Sequence, residues 1–479
     1  MSEFLSQFVS MGNTIIWGYI LIYLLVGVGV YYTFKTKFIQ FRRFGHMIEL
    51  IKTSRNNPDK NNISSFQAFC TGLAARVGTG NLAGVAIAIS LGGPGAVFWM
   101  WAIALIGMST GFIESLLAQV YKIKNPDGSF RGGPAYYMEQ GLGQRWMGTA
   151  FAIFLIIAFG FAFNSVQSNT IAAAVETAWG IDKSVMGMVL VVLAGLNIFG
   201  GIRAIGRTAE ILVPFMAVAY LGLSLFIVVT HITEMPAVFS LIIKSAFGLQ
   251  EAAGGVAGYA VAQAMMQGIK RGLFSNEAGM GSAPNAAAAA RPTPNHPASQ
   301  GYIQAFGVFV DTIIICSATA AIVLLSGVLE SGSEATGIAL TQIALSELVG
   351  SWGSDFIAVI VLLFSFTSII ANYAYGESNV AYIFKSKHAI TIYRVAVLGM
   401  VMMGALAELP AVWNFADLSM GLMAIINLIA ILLLSKVAMA VLRDYEKQVS
   451  AGKTPEFNPE TLPELKGKKI SEVWTKKQA

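Results

Sequence analysis

Apolar stretches of about 18 to 28 residues follow one another along this sequence, and each is long enough to cross a lipid bilayer as an α-helix. Charged residues make up only 12% of the 479 residues, roughly half the share found in soluble domains. The composition therefore predicts an all-α polytopic membrane protein and argues against a soluble enzyme. The net charge of +5 does not indicate nucleic-acid binding, because the basic residues lie between the apolar stretches and form no continuous face.

Hydrophobic windows predict eleven transmembrane helices, which we name the leader helix and helices 1 to 10 in chain order. The predicted spans cover residues 12–34, 66–91, 95–121, 146–178, 184–202, 208–230, 252–290, 301–329, 353–384, 390–409 and 412–440. They divide the chain into five parts. These parts are the leader region 1–34, a cytoplasmic interfacial segment 35–65, a five-helix block 66–230, a second five-helix block 252–442 and a charged cytoplasmic tail 443–479.

The distribution of lysine and arginine predicts the orientation of the chain. If the chain crosses the membrane eleven times, 27 of the 31 basic residues lie on one side, and only Lys183 and Lys244 lie on the other. The 27 residues fall in the segments 35–60, 122–145, 203–207, 270–291, 385–394 and 443–479. By the positive-inside rule the basic side is cytoplasmic, which places the N-terminus outside and the C-terminus inside.

No residue pattern indicates catalysis. Cys70 and Cys316 both lie within apolar stretches, and we interpret them as small buried hydrophobic residues rather than as a disulfide or a thiol switch. The four histidines lack metal-ligand spacing, and the sequence contains no zinc-protease motif. We therefore predict no catalytic residues and no enzyme activity.

Two of the predicted helices are interrupted by glycine and polar residues. The interruption in helix 1 covers residues 78–84, and the interruption in helix 6 covers residues 272–281. Unwound backbone at membrane depth is tolerated only where it packs against protein or lines a wet cavity. Gly80 and Gly84 also fit a G-x-x-x-G motif, so close helix packing is the alternative interpretation of the first stretch when it is taken alone.

The two interruptions occupy matching positions in the chain. Helix 1 opens the first five-helix block and helix 6 opens the second, and because five is odd, the second block enters the membrane from the opposite face. This is the inverted-repeat plan of secondary transporters, in which paired broken helices indicate the binding site. The free N–H groups of a half-helix suit a carboxylate, and the freed carbonyl oxygens suit a small cation.

The residues around both interruptions resemble the alanine/glycine:cation symporter family. The similar stretches are 66–68, 74–86, 92–101, 132–134 and 270–283, and the resemblance covers nearly the whole chain except the tail. It implies a leucine-transporter-like fold and sodium-coupled uptake of small neutral amino acids, such as alanine, glycine, serine or glutamine, across a prokaryotic plasma membrane. Na⁺ is then the coupling ion, and neither an organic cofactor nor an obligatory protein partner is expected.

The resemblance also implies a set of substrate-binding residues. The backbone N–H groups of Thr79 and Gly80 are expected to bind the amino-acid carboxylate, and glycine on each side of Thr79 lets the backbone approach closely. Gln167, in a polar interruption of helix 3, is predicted to bind the ammonium group or to close the pocket, with a helix–helix hydrogen bond as the alternative. Phe274 and Ser275 are predicted to supply an apolar lid and backbone carbonyls for the ammonium group.

The stretch 371–373 in helix 8 stands where, by the resemblance, many members of the family carry a tryptophan near the position of Asn372. A smaller polar residue at this position is expected to enlarge the pocket or to add an amide partner, which would admit glutamine or serine as well as alanine. Repacking by Tyr373 or Tyr375 is the alternative, so the sequence leaves the preferred amino acid open.

The fold that the resemblance implies places a sodium ion between helix 1 and helix 8. Backbone carbonyls and an adjacent pair of hydroxyl groups bind the ion in that fold, and helix 8 carries such a pair. The residues predicted to bind sodium are Ala74, Val77, Phe364, Thr367 and Ser368. The alternative is that both hydroxyl groups only bond to the preceding turn of their own helix.

Charged residues at membrane depth are costly and are expected to pair or to face water. We expect Arg76 to pair with Glu277 or Asp311 at an inner gate, although a purely architectural ion pair would give the same pattern. Because Glu114 or Glu377 could titrate, proton-coupled amino-acid transport is the closest alternative function. A channel is less well supported, because the interruptions lie in two single helices of one chain and not in a symmetric filter.

Overall fold

The computed structural model describes residues 3–55, 62–249, 254–329 and 333–475. Among these residues, eight helices are long and apolar enough to cross a membrane. They are Ser6–Lys35, Gly95–Val120, Arg145–Trp179, Ala204–Thr230, Pro297–Leu325, Trp352–Ile383, Lys387–Leu406 and Leu409–Leu433. The number rises to nine when Ser65–Arg76 and Gly80–Gly92, which meet at an angle of 48°, are counted as one span. The mostly helical membrane architecture predicted from the sequence is therefore confirmed.

Two predicted spans are not among these nine. Helix 4 corresponds to Lys183–Ile198, which is only 16 residues long. Helix 6 corresponds to Gly254–Asn276 followed by the short helix Pro284–Ala289. The described residues thus contain a helix for each predicted span, while eleven membrane crossings stay a prediction. The predicted boundary at 252, Glu330 and the last four residues of the tail lie outside the described residues.

Wider π-helical turns interrupt four of the long helices. They cover Ile16–Leu21, Gly80–Gly84, Ile156–Phe163 and Phe309–Cys316. Such turns are rare and frequently lie at functional sites. Two of these turns include residues that were singled out above. Gly80 is the first residue of the turn in helix 1, and Asp311 lies within the turn in helix 7.

Short elements connect the long helices. The short helices are Ile39–Arg42, Phe44–Thr53, Pro134–Leu142, Met235–Ala246, Gly337–Val349, Ser435–Ser450, Pro459–Thr461, Pro463–Leu465 and Glu472–Thr475. Strand Ile63–Ser64 runs parallel to Ala290–Arg291, and strand Ile123–Lys124 runs antiparallel to Phe130–Arg131. The first strand pair joins the residues just before helix 1 to the residues just after helix 6. It therefore holds the N-terminal end of helix 1 beside the C-terminal end of helix 6.

Gly404 allows helix 9 to pack closely against helix 3. A Cβ atom on Gly404 would lie 2.4 Å from the Cα atom and 2.6 Å from the carbonyl oxygen of Ser165. The side chain of Asn169, also in helix 3, donates a hydrogen bond of 3.0 Å to the Gly404 carbonyl. The two Cβ distances are to backbone atoms of Ser165, and these atoms cannot move aside as a flexible side chain can.

Replacing Gly404 by alanine is therefore expected to lower the free energy of unfolding by about 1–3 kcal/mol, the usual cost of overpacking. Gly399 provides a matched control in the same helix, because a Cβ atom there meets nothing within 4 Å. Alanine favours the helix over glycine, so the Gly399→Ala variant should be as stable as the parent or slightly more stable. Thermal unfolding in detergent measures both variants, and equal melting temperatures for the two would contradict the close approach.

Candidate functional site

The break in helix 1 is local and well defined. The first half-helix, Ser65–Arg76, begins at a capping box in which Ser64 and Gln67 bond reciprocally. It ends where Val77 leaves the helical region with φ −78° and ψ 89°. The Gly78 N–H then donates to the Asn81 side-chain oxygen at 2.9 Å. A break in helix 1 is therefore confirmed, but it is shorter than the predicted stretch 78–84, because only residues 77–78 are non-helical and Gly80–Gly84 forms a π-helical turn.

The break in helix 6 begins later than predicted. The first half-helix continues to Asn276, and the chain is non-helical from 277 to 283. Glu277, Gly279 and Gly281 all have positive φ angles there, of 58°, 88° and 87°. The second and third of these positions favour glycine, because only glycine adopts such angles without strain.

The predicted start of this break at Gly272 is wrong, because Gly272 serves packing. A Cβ atom on Gly272 would lie 2.6 Å from Cγ2 of Ile103 in helix 2, so the glycine lets two helices approach while its own backbone stays helical. Phe274 and Ser275 consequently lie in the last turn of the first half-helix. Their carbonyl groups belong to a helix end whose hydrogen-bond ladder is not continued.

The two broken helices meet at Gly80. A Cβ atom on Gly80 would lie 3.1 Å from the Phe274 ring and 3.1 Å from the Cα atom of Ser275. The Phe274 ring stacks on Phe163 with centroids 4.3 Å apart, and it also contacts Trp413 at 4.6 Å. Phe274 thus contacts two aromatic rings and the break in helix 1, and its function as an apolar lid stays a prediction.

Gln167 contacts the backbone of the helix 1 break directly. Its side-chain oxygen accepts a hydrogen bond of 3.0 Å from the Thr79 N–H, the group that the resemblance assigns to the substrate carboxylate. Asn372 donates to the side chain of Asn164 at 3.1 Å. Because Asn164 and Gln167 are three residues apart on helix 3, they share one face. Asn372 therefore lies beside the same face of helix 3 as Thr79.

The structure brings the five residues predicted to bind sodium together. The Ser368 hydroxyl oxygen lies 2.8 Å from the carbonyl oxygen of Ala74, 3.0 Å from that of Phe364 and 3.4 Å from that of Val77. The Thr367 hydroxyl donates to the Phe364 carbonyl at 2.8 Å. Both hydroxyl groups thus bond back within helix 8, as the alternative expected, but Ser368 also contacts helix 1.

The donor set of this cluster suits a hard cation. Three carbonyl oxygens surround a hydroxyl group that has a single proton, so acceptors exceed donors, and all the residues involved are buried. Oxygen ligands of this kind are those that hard cations prefer. Gly78 permits the close approach, since a Cβ atom on Gly78 would lie 2.4 Å from the Ser368 hydroxyl oxygen.

The expected pairing of Arg76 with Glu277 or Asp311 is not found in this structure. Within the part of the chain that the structure describes, no carboxylate lies within ion-pair distance of Arg76, which donates instead to the Gln304 carbonyl at 3.2 Å. Glu277 accepts a hydrogen bond of 2.6 Å from Ser282. A buried guanidinium group can be bound by a carbonyl oxygen, and a carboxylate by a hydroxyl group, so burial alone does not specify an ion pair.

Asp311 lies between the two broken helices. Its carboxylate accepts hydrogen bonds from Asn81 of helix 1 at 2.7 Å, from Ser275 of helix 6 at 2.8 Å and from Thr312 at 2.7 Å. All three donors are neutral, and Asp311 is fully buried. Asp311 therefore acts in this structure as a hydrogen-bonding link between the breaks rather than as one half of a salt bridge.

The two carboxylates considered for proton coupling have different surroundings. Glu114 is fully buried and accepts hydrogen bonds from the Gly279 N–H at 3.1 Å and from Asn427 at 2.8 Å. Glu377 pairs with Arg394 at 3.3 Å and is about one-fifth exposed. Glu114 thus stabilises the unwound segment of helix 6, whereas Glu377 belongs to an ion pair near the surface.

One charged cluster was missed in the sequence. Asp417 of helix 10 is 1% exposed and pairs with Lys270 at 2.8 Å and with Arg271 at 2.7 Å. Arg271 also lies over the Trp413 ring, 4.5 Å from its centroid. The charge count above grouped Lys270 and Arg271 with the basic residues of one membrane side, whereas the structure places both inside helix 6, paired with Asp417. The signal was present, since a carboxylate inside an apolar span indicates a buried partner.

Known proteins are similar in sequence to this chain over nearly its whole length. The family model described as "Sodium:alanine symporter family" matches residues 2–459. The chain is 51% identical over 462 residues to the probable sodium/glutamine symporter GlnT of Bacillus subtilis (strain 168), covering 96% of this chain and 95% of that one.

Two further relatives carry other descriptions. The chain is 39% identical over 445 residues to the sodium/alanine symporter AgcS of Methanococcus maripaludis, covering 91% of this chain and 96% of that one. It is 38% identical over 430 residues to the sodium/proton-dependent alanine carrier protein of Bacillus sp. (strain PS3), covering 86% and 94%. These matches confirm the predicted family and a multi-pass membrane carrier. The chain belongs to the sodium:alanine symporter family.

Proposed function

We propose that this protein is a sodium-coupled symporter that takes up small neutral amino acids by alternating access. The observation that carries the proposal is the cluster of carbonyl oxygens from Ala74, Val77 and Phe364 within 3.4 Å of the Ser368 hydroxyl. It joins the broken helix 1 to helix 8 beside the Thr79–Gly80 backbone. One arrangement can therefore hold a cation and an amino-acid carboxylate side by side.

In this proposal the substrate carboxylate binds the N–H groups of Thr79 and Gly80. Gln167 accepts the Thr79 N–H at 3.0 Å, so its amide must turn aside when the carboxylate arrives. The freed amide oxygen can then accept a hydrogen bond from the ammonium group, together with carbonyls of Phe274 and Ser275. Binding the substrate exchanges one hydrogen bond for others, and the Thr79 N–H keeps a partner throughout.

The proposed topology has a leader helix and two inverted five-helix blocks, 66–230 and 252–442, in a leucine-transporter-like fold. The N-terminus lies outside and the tail 443–479 in the cytoplasm of a prokaryotic cell. The charge distribution supports this orientation even after Lys270 and Arg271 are removed from the count, since 25 basic residues stay on the cytoplasmic side.

Uptake into proteoliposomes tests the proposed function. Labelled alanine, glycine, serine and glutamine are supplied with and without an inward sodium gradient at fixed pH and voltage. Sodium-dependent accumulation of at least one of them is expected. Uptake that follows a proton gradient and ignores sodium would favour the proton-coupled alternative. The absence of acceleration by unlabelled substrate on the far side would favour a channel.

Asn372 is proposed to set the room available to the substrate side chain. Replacing Asn372 by tryptophan fills this space, so glutamine uptake should fall about tenfold or more, a loss typical of overpacking by 1–3 kcal/mol. Alanine uptake should fall much less. Asn372→Ala is the control, because it removes the amide without filling the space. Equal losses for glutamine and alanine in the tryptophan variant would contradict this role.

A further inference from the structure

A cavity of about 1240 Å³ lies at the end of the molecule where the tail packs. Most of its walls come from the strand pair 123–131, the stretch 136–145 that leads into helix 3, the segment 381–390 between helices 8 and 9, and the tail residues 469–473, and Asn62 and Arg291 complete the lining. Four stretches that are distant in the sequence therefore enclose one space. The tail reaches it because Trp474 donates a hydrogen bond of 2.9 Å to the carbonyl of Gln119.

The walls of this cavity carry a large excess of positive charge. Seven lysine or arginine residues line it against two carboxylates, Glu139 and Glu472. Glu139 already pairs with Arg145 at 3.3 Å. The basic residues of the other walls include Lys124, Arg131, Lys385, Lys387 and Lys469. Like charges gathered from separate segments repel one another, so an anion in the cavity would stabilise the arrangement.

The surface beside the cavity is apolar and exposed. Trp146, next to Arg145, is 70% exposed, and Phe384, next to Lys385, is 55% exposed. Along helix 9, which begins at Lys387, Ile392 and Val395 are 70% and 62% exposed. Exposed aromatic residues next to basic ones are typical of the level at which a membrane meets water. The surface beside the cavity therefore has the composition of a membrane–water interface, and the exposed side of helix 9 continues it as an apolar face.

We propose that this cavity binds the headgroup of an anionic phospholipid. The inference depends on the orientation given under the proposed function, which places the cavity at the cytoplasmic leaflet, where anionic lipids attract basic pockets between helices. The phosphate contacts lysine and arginine from the core and Lys469 from the tail. The acyl chains lie along the exposed apolar side of helix 9. The lipid thereby holds the tail against the helix bundle.

Binding of labelled phosphatidylglycerol to the full-length chain in phosphatidylcholine nanodiscs tests this proposal. The parent protein should prefer phosphatidylglycerol to labelled phosphatidylcholine, and the preference should weaken as salt is added. The double variant Lys385→Gln/Lys387→Gln should lose affinity by about fivefold for each lysine removed. The matched control, Lys447→Gln/Lys453→Gln, removes the same charge from exposed positions of the tail outside the cavity and should change the affinity by less than about twofold.

Three results would overturn the proposal. They are equal binding of the two lipids by the parent protein, an equal loss of affinity in the cavity variant and in the control, and displacement of the labelled lipid by millimolar inorganic phosphate. The third result would assign the cavity to free phosphate instead of a lipid. All these measurements are of lipid binding and not of transport. Failure of this proposal is therefore distinguishable from failure of the sodium-dependent uptake that tests the proposed function.

Discussion

Replacing Ser368 by alanine is expected to raise the sodium concentration needed for half-maximal uptake by about ten- to a hundredfold. The Ser368 hydroxyl is the atom on which the carbonyl oxygens of Ala74, Val77 and Phe364 converge. A hydrogen-bonding group that contacts a charge contributes about 1.5–3 kcal/mol, which corresponds to this range of affinity. Alanine occupies less volume and introduces no charge, so helix 8 should keep its place against helix 1.

Ser365 supplies a matched control on the same helix. It is also fully buried, and its hydroxyl has no hydrogen-bond partner among the described residues. Ser365→Ala should therefore leave the sodium dependence of uptake unchanged. Initial rates of amino-acid uptake are measured in proteoliposomes over a series of sodium concentrations. If Ser368→Ala and Ser365→Ala shifted the sodium dependence equally, the site between helices 1 and 8 would have to be abandoned.

The sequence predicts the parts of this molecule that depend on local signals. Apolar stretches give the long helices, because the bilayer demands about 20 apolar residues per span. The break in helix 1 is visible because Gly78 and Gly80 flank Thr79 within an otherwise apolar helix. The residues proposed to bind sodium also come together as expected, since the family resemblance relates helix 1 to helix 8.

Contacts between distant segments could not be predicted in the same way. A glycine can be required by a positive φ angle or by close packing against another helix. Which of the two requirements holds depends on residues that are distant in the sequence. Gly272 packs against Ile103 of helix 2 and remains in the helix, whereas Gly279 lies in the non-helical segment with a φ angle of 88°. Similarly, the sequence shows that a buried charge needs partners but does not show which residues they are. In the structure Arg76 donates to a carbonyl oxygen, and Asp311 accepts hydrogen bonds from neutral donors.

Replacing Asp417 by asparagine is expected to destabilise the protein by about 3–5 kcal/mol, the cost of removing one partner from a buried ion pair. Asp417 is 1% exposed, and it neutralises Lys270 and Arg271, which are 12% and 4% exposed. Both cations would keep their positions in helix 6 without a counter-charge. The Trp413 ring lies over Arg271 in the parent as well, so this cation–π contact is kept in the variant and does not replace the lost charge pairs.

The variant Glu377→Gln measures how much a less buried ion pair contributes to the free energy of unfolding. Glu377 and Arg394 are each about one-fifth exposed, so removing this charge should cost about 1 kcal/mol or less. Thermal unfolding in detergent measures Asp417→Asn, Glu377→Gln, Arg271→Gln and the combination of Asp417→Asn with Arg271→Gln. Because the second substitution removes one of the two stranded charges, the double variant should be more stable than Asp417→Asn alone. If the two losses simply added, the proposed neutralisation of Arg271 by Asp417 would be wrong, and the stability of this region would have to come from the packing of helix 6 against helix 10.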